Sequence, residues 1–233
     1  MAVLYLVPSP LSDGDWQNVL PAKVFRVLTT TGYFIVENIR TARRFLKLVN
    51  KNIDIDSLKF FVLNKHTEYS AAEGYLNPVV EGHDIALITE AGCPGIADPG
   101  AEIVRIAHKK NIKVVPISGP SSVILALMAS GLNGQDFAFN GYLPIKHNER
   151  LKAISKLEEK AVRLKQTQIF IETPYRNDQM LKSLLKACSP VTMLCIAADL
   201  TGDNEFIATK TIEQWKREIP DLNKKPAIFL LGT

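Results

Sequence analysis

The chain has 233 residues, 46% hydrophobic and 22% charged, with a formal net charge of +4. That is ordinary globular composition, which excludes a disordered chain, a collagen-like chain and a disulfide scaffold. No apolar run approaches the ~18 residues of a membrane span, and no partner in a membrane is expected.

The opening Met1–Val7 is apolar but lacks a basic leader and stops at Pro8, so it reads as a strand over Val3–Val7 rather than a signal peptide. Periodicity then predicts a helix over Val19–Leu28, with Pro21 in its early turn, and a strand over Tyr33–Val36. A helix over Thr41–Val49 follows, placing Phe45, Leu48 and Val49 on one face, then a strand over Phe60–Leu63 and a helix over Glu68–Glu81. The strand Ile85–Thr89 runs into the loop Glu90–Gly100, the helix Ala101–Lys109 and the strand Val114–Ile117. After Ser118–Ser122 come an apolar helix over Val123–Ser130, a short strand over Phe137–Asn140 and a charged amphipathic helix over Glu149–Lys165. The remainder reads as strand Gln168–Ile171, helix Met180–Ala187, strands Val191–Ala197 and Phe206–Thr209, helix Ile212–Arg217 and strand Ala227–Leu231.

Alternating strands and helices predict an α/β fold with largely parallel, buried strands. The strands are too many for one compact sheet, so two α/β domains are expected, 1–117 and 118–233, with a ligand in the cleft where they meet.

Cys93, Cys188 and Cys195 are odd in number and form no C-x-x-C pair, as expected of a cytoplasmic chain with reduced thiols. The four His show no metal-ligand spacing, so no metal is expected. Charge is uneven. Residues 38–52 carry Arg40, Arg43, Arg44, Lys47 and Lys51 with no acid, and residues 146–165 carry seven basic residues against Glu149, Glu158 and Glu159. Such patches suit a polyanionic partner or a solvated helix face.

Two strand–loop–helix junctions carry most of the chemistry. Thr89–Gly100 holds three Gly and two Pro after a buried strand, where open α/β sheets bind ligands. Asp98 and Pro99 suit the start of the next helix. Ser118-Gly119-Pro120-Ser121-Ser122 sets hydroxyls and free N–H groups at a helix N-terminus, which accepts a carboxylate or serves as an ordinary cap. The dinucleotide, P-loop and nucleophile-elbow signatures are absent from the sequence.

Several motifs in order give the chain a wider resemblance. Leu4-Tyr5-Leu6-Val7 is followed by Pro8 and Pro10; Glu37, Arg40, Thr41, Arg43 and Arg44 form an acidic-then-arginine stretch; Asn64, His66 and Glu68 match part of an Asn-Glu-His-Asn-Glu segment. The Gly92–Gly100 loop differs at two positions from Gly-Thr-Pro-Gly-Ile-Ser-Asp-Pro-Gly. Gly119-Pro120-Ser121, Ala129-Ser130-Gly131-Leu132, Gly141-Tyr142-Leu143-Pro144 with Lys146 and Arg150, Glu172-Thr173-Pro174-Tyr175-Arg176 and Pro226-Ala227 follow. In these motifs the chain resembles the tetrapyrrole methylase superfamily, the class III S-adenosylmethionine-dependent methyltransferases. Within it the chain is most similar to the small-subunit ribosomal RNA ribose 2′-O-methyltransferase branch (methyltransferase I).

The resemblance implies two α/β domains, a homodimer, S-adenosyl-L-methionine folded into the cleft and an RNA substrate in the small ribosomal subunit. It implies cofactor contacts at Pro8, Gly92, Ile96, Ala97, Ser121, Ser122, Leu200, Pro226 and Ala227, with Tyr142 and Leu143 as additions. A ribose hydroxyl gains from a base within reach. Glu37, Glu68, Glu90, Asp98 and His66 are the candidates, each also able to serve as a salt bridge or cap; Glu37 and Asp98, with Arg40, are taken as catalytic. Arg43, Arg44, His66 and Glu68 are taken as substrate-binding, arginine being suited to phosphate.

The chain departs from the branch at Asn38, Glu90, Cys93 and Ala198–Gly202. These changes motivate two alternatives: a tetrapyrrole or other small-molecule methyltransferase, and a cofactor-binding paralogue with little activity.

Overall fold

The computed structural model describes residues 2–13, 16–64 and 67–233. The chain divides into two compact units, Met1–Ser121 and Ser122–Thr233. Both are α/β, as the alternating pattern requires.

The first unit is built on β1 (Val3–Val7), β2 (Tyr33–Val36), β3 (Lys59–Val62), β4 (Ile85–Ile88) and β5 (Lys113–Pro116), ordered β3-β2-β4-β1-β5 and parallel throughout. Parallel strands need both faces covered, and the strand sequences are correspondingly apolar without alternation. Val7, Phe34, Val36, Ala86 and Ile88 pack on one face against α1 (Ala22–Thr30) and α2 (Ile39–Val49). Leu4, Ile35, Ile85 and Leu87 pack on the other against α3 (Tyr69–Gly74), α4 (Asn77–Val80) and α5 (Gly100–Lys109).

Three local expectations change here. The single helix expected over Glu68–Glu81 is two short ones. Gly74 ends the first, and Pro78, which cannot donate an amide proton, sits at the start of the second. The buried stripe of α2 is Ala42, Leu46 and Val49, spaced i, i+4, i+7, while Leu48 is exposed and Phe45 half-buried. Asn38, one of the departures from the resembled branch, which has an aspartate there, caps α2 by accepting the Arg40 amide at 2.9 Å. Asparagine caps about as well as aspartate, so the helix loses a charge there but not its cap.

The second unit holds β6 (Phe137–Tyr142), β7 (Thr167–Glu172), β8 (Met193–Ala198), β9 (Phe206–Thr211) and β10 (Ala227–Gly232), ordered β6-β7-β10-β8-β9. Only the β6–β7 pair is parallel; β7–β10, β10–β8 and β8–β9 are antiparallel. The expectation of largely parallel strands therefore fails in this unit. The apolar run of β10 reflects its central position, where it is buried along its whole length. Position and strand direction leave the same mark on such a run. Helices α7 (His147–Leu164), α8 (Asn177–Ala187) and α9 (Ile212–Arg217) share one core with Phe170, Leu194, Ile196, Phe229 and Leu231. Helix α6 (Ser122–Ser130) also packs on this sheet, and the Thr209 hydroxyl donates to the Ser130 carbonyl at 2.7 Å. A reciprocal cap of Thr211 with Gln214 starts α9.

Candidate functional site

The chain leaves β1 toward β2 on one side, and leaves β4 toward β5 on the other. β1 and β4 are neighbours, so the crevice beyond their carboxyl ends is a topological switch point, where open α/β sheets bind ligands. Ser9 and Gly92 close this crevice, each amide donating to the other's carbonyl at 2.9 and 3.0 Å. Gly92 is buried with φ 75°, a conformation that favours glycine.

The sequence-predicted residues of this unit sort by strand. Pro8 follows β1, Gly92, Ile96 and Ala97 follow β4, and Ser121 follows β5; these are the cofactor expectations. Glu37 follows β2 and Glu68 follows β3; these belong to the catalytic and substrate sets. Because every strand is parallel, all lie at one end of the sheet.

Asp98 shapes the glycine-rich loop. Its Oδ1 accepts the amides of Gly95 and Gly100, both at 2.7 Å. Pro99, not Asp98, occupies the cap position of α5, so Asp98 binds the loop to the first residue of the helix. Its Oδ2 is buried with no hydrogen-bond partner among the described residues, and a cavity of about 10 Å³ opens there, lined also by Glu37, Thr89 and Pro99. Ala97 is exposed with φ 63°, Ile96 is 51% exposed, and no described residue hydrogen-bonds the Ala97 amide or carbonyl. Cys93 contacts the carbonyl oxygens of Gly119 and Pro120 through Sγ at 3.6 and 3.4 Å, tying the β4 loop to the β5 loop. Burial pushes its thiol pKa up, which fits packing rather than nucleophilic chemistry.

Glu37 is half-buried, and its pKa is raised, first by desolvation and then by the charges of Asp98 and Glu90; the Glu90 amide, donating at 3.4 Å, opposes this in part. Glu90 accepts from the Thr41 hydroxyl at 2.5 Å. Three carboxylates thus meet at the ends of β2 and β4, with Glu37 and Asp98 lining one small cavity.

Beside them lies a pocket of about 560 Å³. Ser9, Pro10, Ser12 and Asp13 form one wall; Thr41, Arg44, Phe45, Lys47, Leu48 and Lys51 of α2 and the segment after it form another; Val36, Ile88, Thr89 and Glu90 close the base. Phe45 and Leu48 both line this pocket; Leu48 is exposed, while Phe45 also packs against the core. In the sequence Lys47 and Lys51 show only as part of a basic run; the i, i+3 spacing of Lys47 from Arg44 is the signal that puts those two on one face of α2, while Lys51 lies just beyond the helix. Arg40 and Arg43 are exposed and do not line this pocket; Arg43 lies over the Phe60 ring, 5.7 Å from its centroid, and 3.9 Å from Asp56. Glu68 is exposed at the start of α3. His66 lies outside the described residues.

In the second unit Tyr142 ends β6 and Leu143 follows it, Leu200 follows β8, and Pro226 precedes Ala227, the first residue of β10. Register pairs Tyr142 with Ile171 and Ala227 with both Glu172 and Ala198, so these residues share one end of this sheet. Asp199 and Thr201 there take positive φ, and the Asp199 amide donates to the Pro226 carbonyl at 2.9 Å. Ser122 opens α6. No group of three or more His, Cys, Asp or Glu able to hold a metal occurs among the described residues, and no helix among them is long and apolar enough to cross a membrane.

Comparison with known proteins gives a consistent picture. The profile of the family Tetrapyrrole (Corrin/Porphyrin) Methylases matches residues 3–216. A ribosomal RNA small subunit methyltransferase I of Vibrio cholerae is 34% identical over 233 aligned residues, covering 98% of this chain and 76% of that protein. The protein of the same name from Escherichia coli O157:H7 is 29% identical, covering 98% and 77%. Among solved structures, the methyltransferase CobJ superposes with a TM-score of 0.65 at 15% identity, covering all of this chain and 95% of that one. Uroporphyrin-III-C-methyltransferase from Thermus thermophilus superposes with a TM-score of 0.57 at 19% identity, covering 99% and 92%. These two show the fold.

Proposed function

The chain belongs to the tetrapyrrole (corrin/porphyrin) methylase family and is a methyltransferase, and from that premise we propose that it methylates a ribose 2′-hydroxyl of small-subunit ribosomal RNA, with S-adenosyl-L-methionine as donor. The observation that carries this reading is the juxtaposition of Glu37, a carboxylate of raised pKa, with a 560 Å³ pocket walled by basic residues of α2. The names borne by the relatives support the acceptor class.

The residues present fit the donor. Ala97 and Ile96 offer backbone polar groups beside an apolar side chain, suited to a ligand with an apolar ring and polar edges. Pro8, Gly92, Ser121 and Ser122, and Tyr142, Leu143, Leu200, Pro226 and Ala227 in the second unit, would complete the binding set. When bound, S-adenosylmethionine supplies a methyl group already activated by its sulfonium.

The chain's own residues then have three tasks. Positioning is the largest lever, and Asp98 holds the loop that does it. Glu37 takes the proton of the acceptor hydroxyl; its raised pKa brings it closer to working pH, where a general base is most effective. Arg44, Lys47 and Lys51 bind backbone phosphates, and Arg40 and Arg43 extend the basic surface. A cytoplasmic homodimer with domains 1–117 and 118–233 completes the reading.

Incubating the protein with labelled S-adenosylmethionine and small ribosomal subunits, or total RNA, from cells lacking it tests this. Label at one site resistant to alkaline cleavage supports ribose methylation. No label in RNA, with cofactor binding intact by calorimetry, overturns it in favour of a small-molecule acceptor or a binding-only paralogue.

A further inference from the structure

Glu172 ends β7 with its side chain fully buried (0% exposed). Its Oε1 accepts the Thr173 amide at 2.7 Å and two guanidinium N–H groups of Arg176, at 2.9 and 2.5 Å. These bonds lock the single turn of 3-10 helix Pro174–Arg176, whose middle residue, Tyr175, is 80% exposed. No other large hydrophobic side chain described is as exposed. The next residue, Asn177, is buried and donates through Nδ2 to the carbonyls of Leu222, at 3.2 Å, and Lys225, at 2.7 Å. It staples the turn before β10 to the Tyr175 turn. In that second turn Lys224 takes a left-handed φ of 57°, a conformation lysine seldom adopts. Neither Lys224 nor Lys225 forms an ion pair among the described residues.

A connector needs no buried carboxylate to hold it. Burying one in so short a turn fixes geometry more than it adds stability. What it fixes is an aromatic ring in solvent on a turn joined through Asn177 to the turn that carries Lys224 and Lys225, a pairing of aromatic and cations that suits unpaired nucleic acid through stacking and phosphate contact. The Lys224–Lys225 turn leads directly into Pro226 and the first residue of β10, Ala227.

We propose that the Tyr175 turn and the Lys224–Lys225 turn form a contact site for an unpaired RNA segment, with one base stacked on Tyr175 and the lysines on adjacent phosphates. The proposal rests on the reading of RNA as the acceptor and adds a site for nucleotides that are not methylated.

The test is fluorescence anisotropy of the full chain with a labelled single-stranded RNA 12-mer, comparing wild type, Y175A, Y175F and the double variant K224Q/K225Q. Y175A should weaken binding roughly 5- to 150-fold, the range of a lost base stack, and Y175F should bind within about twofold of wild type. The double variant should lower the slope of log affinity against log salt by about 1.4, at about 0.7 per phosphate contact. Failure of wild type to bind the 12-mer overturns the proposal, as does Y175A binding like wild type. So does Y175A dissociating a dimer by sedimentation while RNA affinity stands, which would make the turn an interface with a second copy. Methylated ribosomal RNA together with Tyr175-independent binding defeats this proposal alone. Tyr175-dependent binding with no methyl transfer to RNA upholds it and defeats the acceptor reading.

Discussion

Gly119→Ala adds one methyl group where the structure has no room for it. The new Cβ would lie 2.2 Å from Pro8 Cβ and 2.3 Å from Pro8 Cγ. Ordinary contact begins at 3.4 Å, so the two loops must part by about 1.2 Å. A proline ring has no rotamer through which to yield. The backbones cannot yield cheaply either, because β1 and β5 are paired up to Leu6 and Pro116, and the Ile117 amide donates to the Leu6 carbonyl at 3.0 Å. Overpacking of this kind costs about 1–3 kcal/mol, and a stiff partner puts it at the upper end. At roughly 2–4 °C per kcal/mol for a chain of this size, the melting temperature should fall by about 4–12 °C. Donor affinity should fall too, because the displaced loops carry Pro8 and Ser121 and bear on Gly92 through Ser9. Differential scanning calorimetry and titration with S-adenosylmethionine read both effects. A variant that melts within about 1 °C of wild type and binds the donor equally well would refute the reasoning.

Glu37→Gln should slow methyl transfer by about 100-fold or more and abolish the acid limb of the pH–rate profile, which in wild type lies above the usual carboxylate range. Because the folded-state pKa of Glu37 is raised, its stabilising effect is complete below the unfolded pKa and lost as pH rises through the folded one; the variant should therefore melt higher than wild type at neutral pH and equally at pH 4. Asp98→Ala removes two 2.7 Å bonds to a carboxylate and should weaken donor binding tenfold or more by calorimetry, whereas Asp98→Asn, which keeps the acceptor, should lose less. Glu172→Ala leaves Arg176 unpaired in a largely buried site and should cost about 3 kcal/mol in urea unfolding, while Arg163→Ala, which breaks an exposed pair with Glu159 at 3.9 Å, should cost under about 1 kcal/mol.

The sequence made the strands of the first unit legible because parallel, doubly covered strands are unbroken apolar runs: β1 and β2 fall where Val3–Val7 and Tyr33–Val36 predict. The same rule misled in the second unit, since β10 is apolar through its central position in an antiparallel sheet. The meeting of Glu37 with Asp98 could be anticipated only through motif resemblance; 61 positions separate them, and the sheet order that joins β2 to β4 leaves no local trace. Glu90 carries a signal, as a carboxylate at the end of a buried strand, but nothing local pairs it with Thr41, 49 positions earlier in the chain. In the sequence the Tyr175 turn shows only as a motif fragment. What was not visible was that Glu172 would spend its charge on Arg176 inside the protein, leaving the aromatic ring outside.

The first strand of the chain is an inner strand of its sheet, flanked by β4 and β5. Its partners are Leu4–Val7 with Ile85–Ile88, and Val3–Leu6 with Lys113–Pro116. During synthesis, β1 therefore emerges with no strand to pair with until some eighty residues more have been made, and its second edge stays open until residue 116. Long-range parallel pairing of this kind is slow to form. The first unit should gain its stability late and in one step, and a nascent chain stopped short of Lys113 would carry an unpaired apolar strand edge, a natural target for a chaperone.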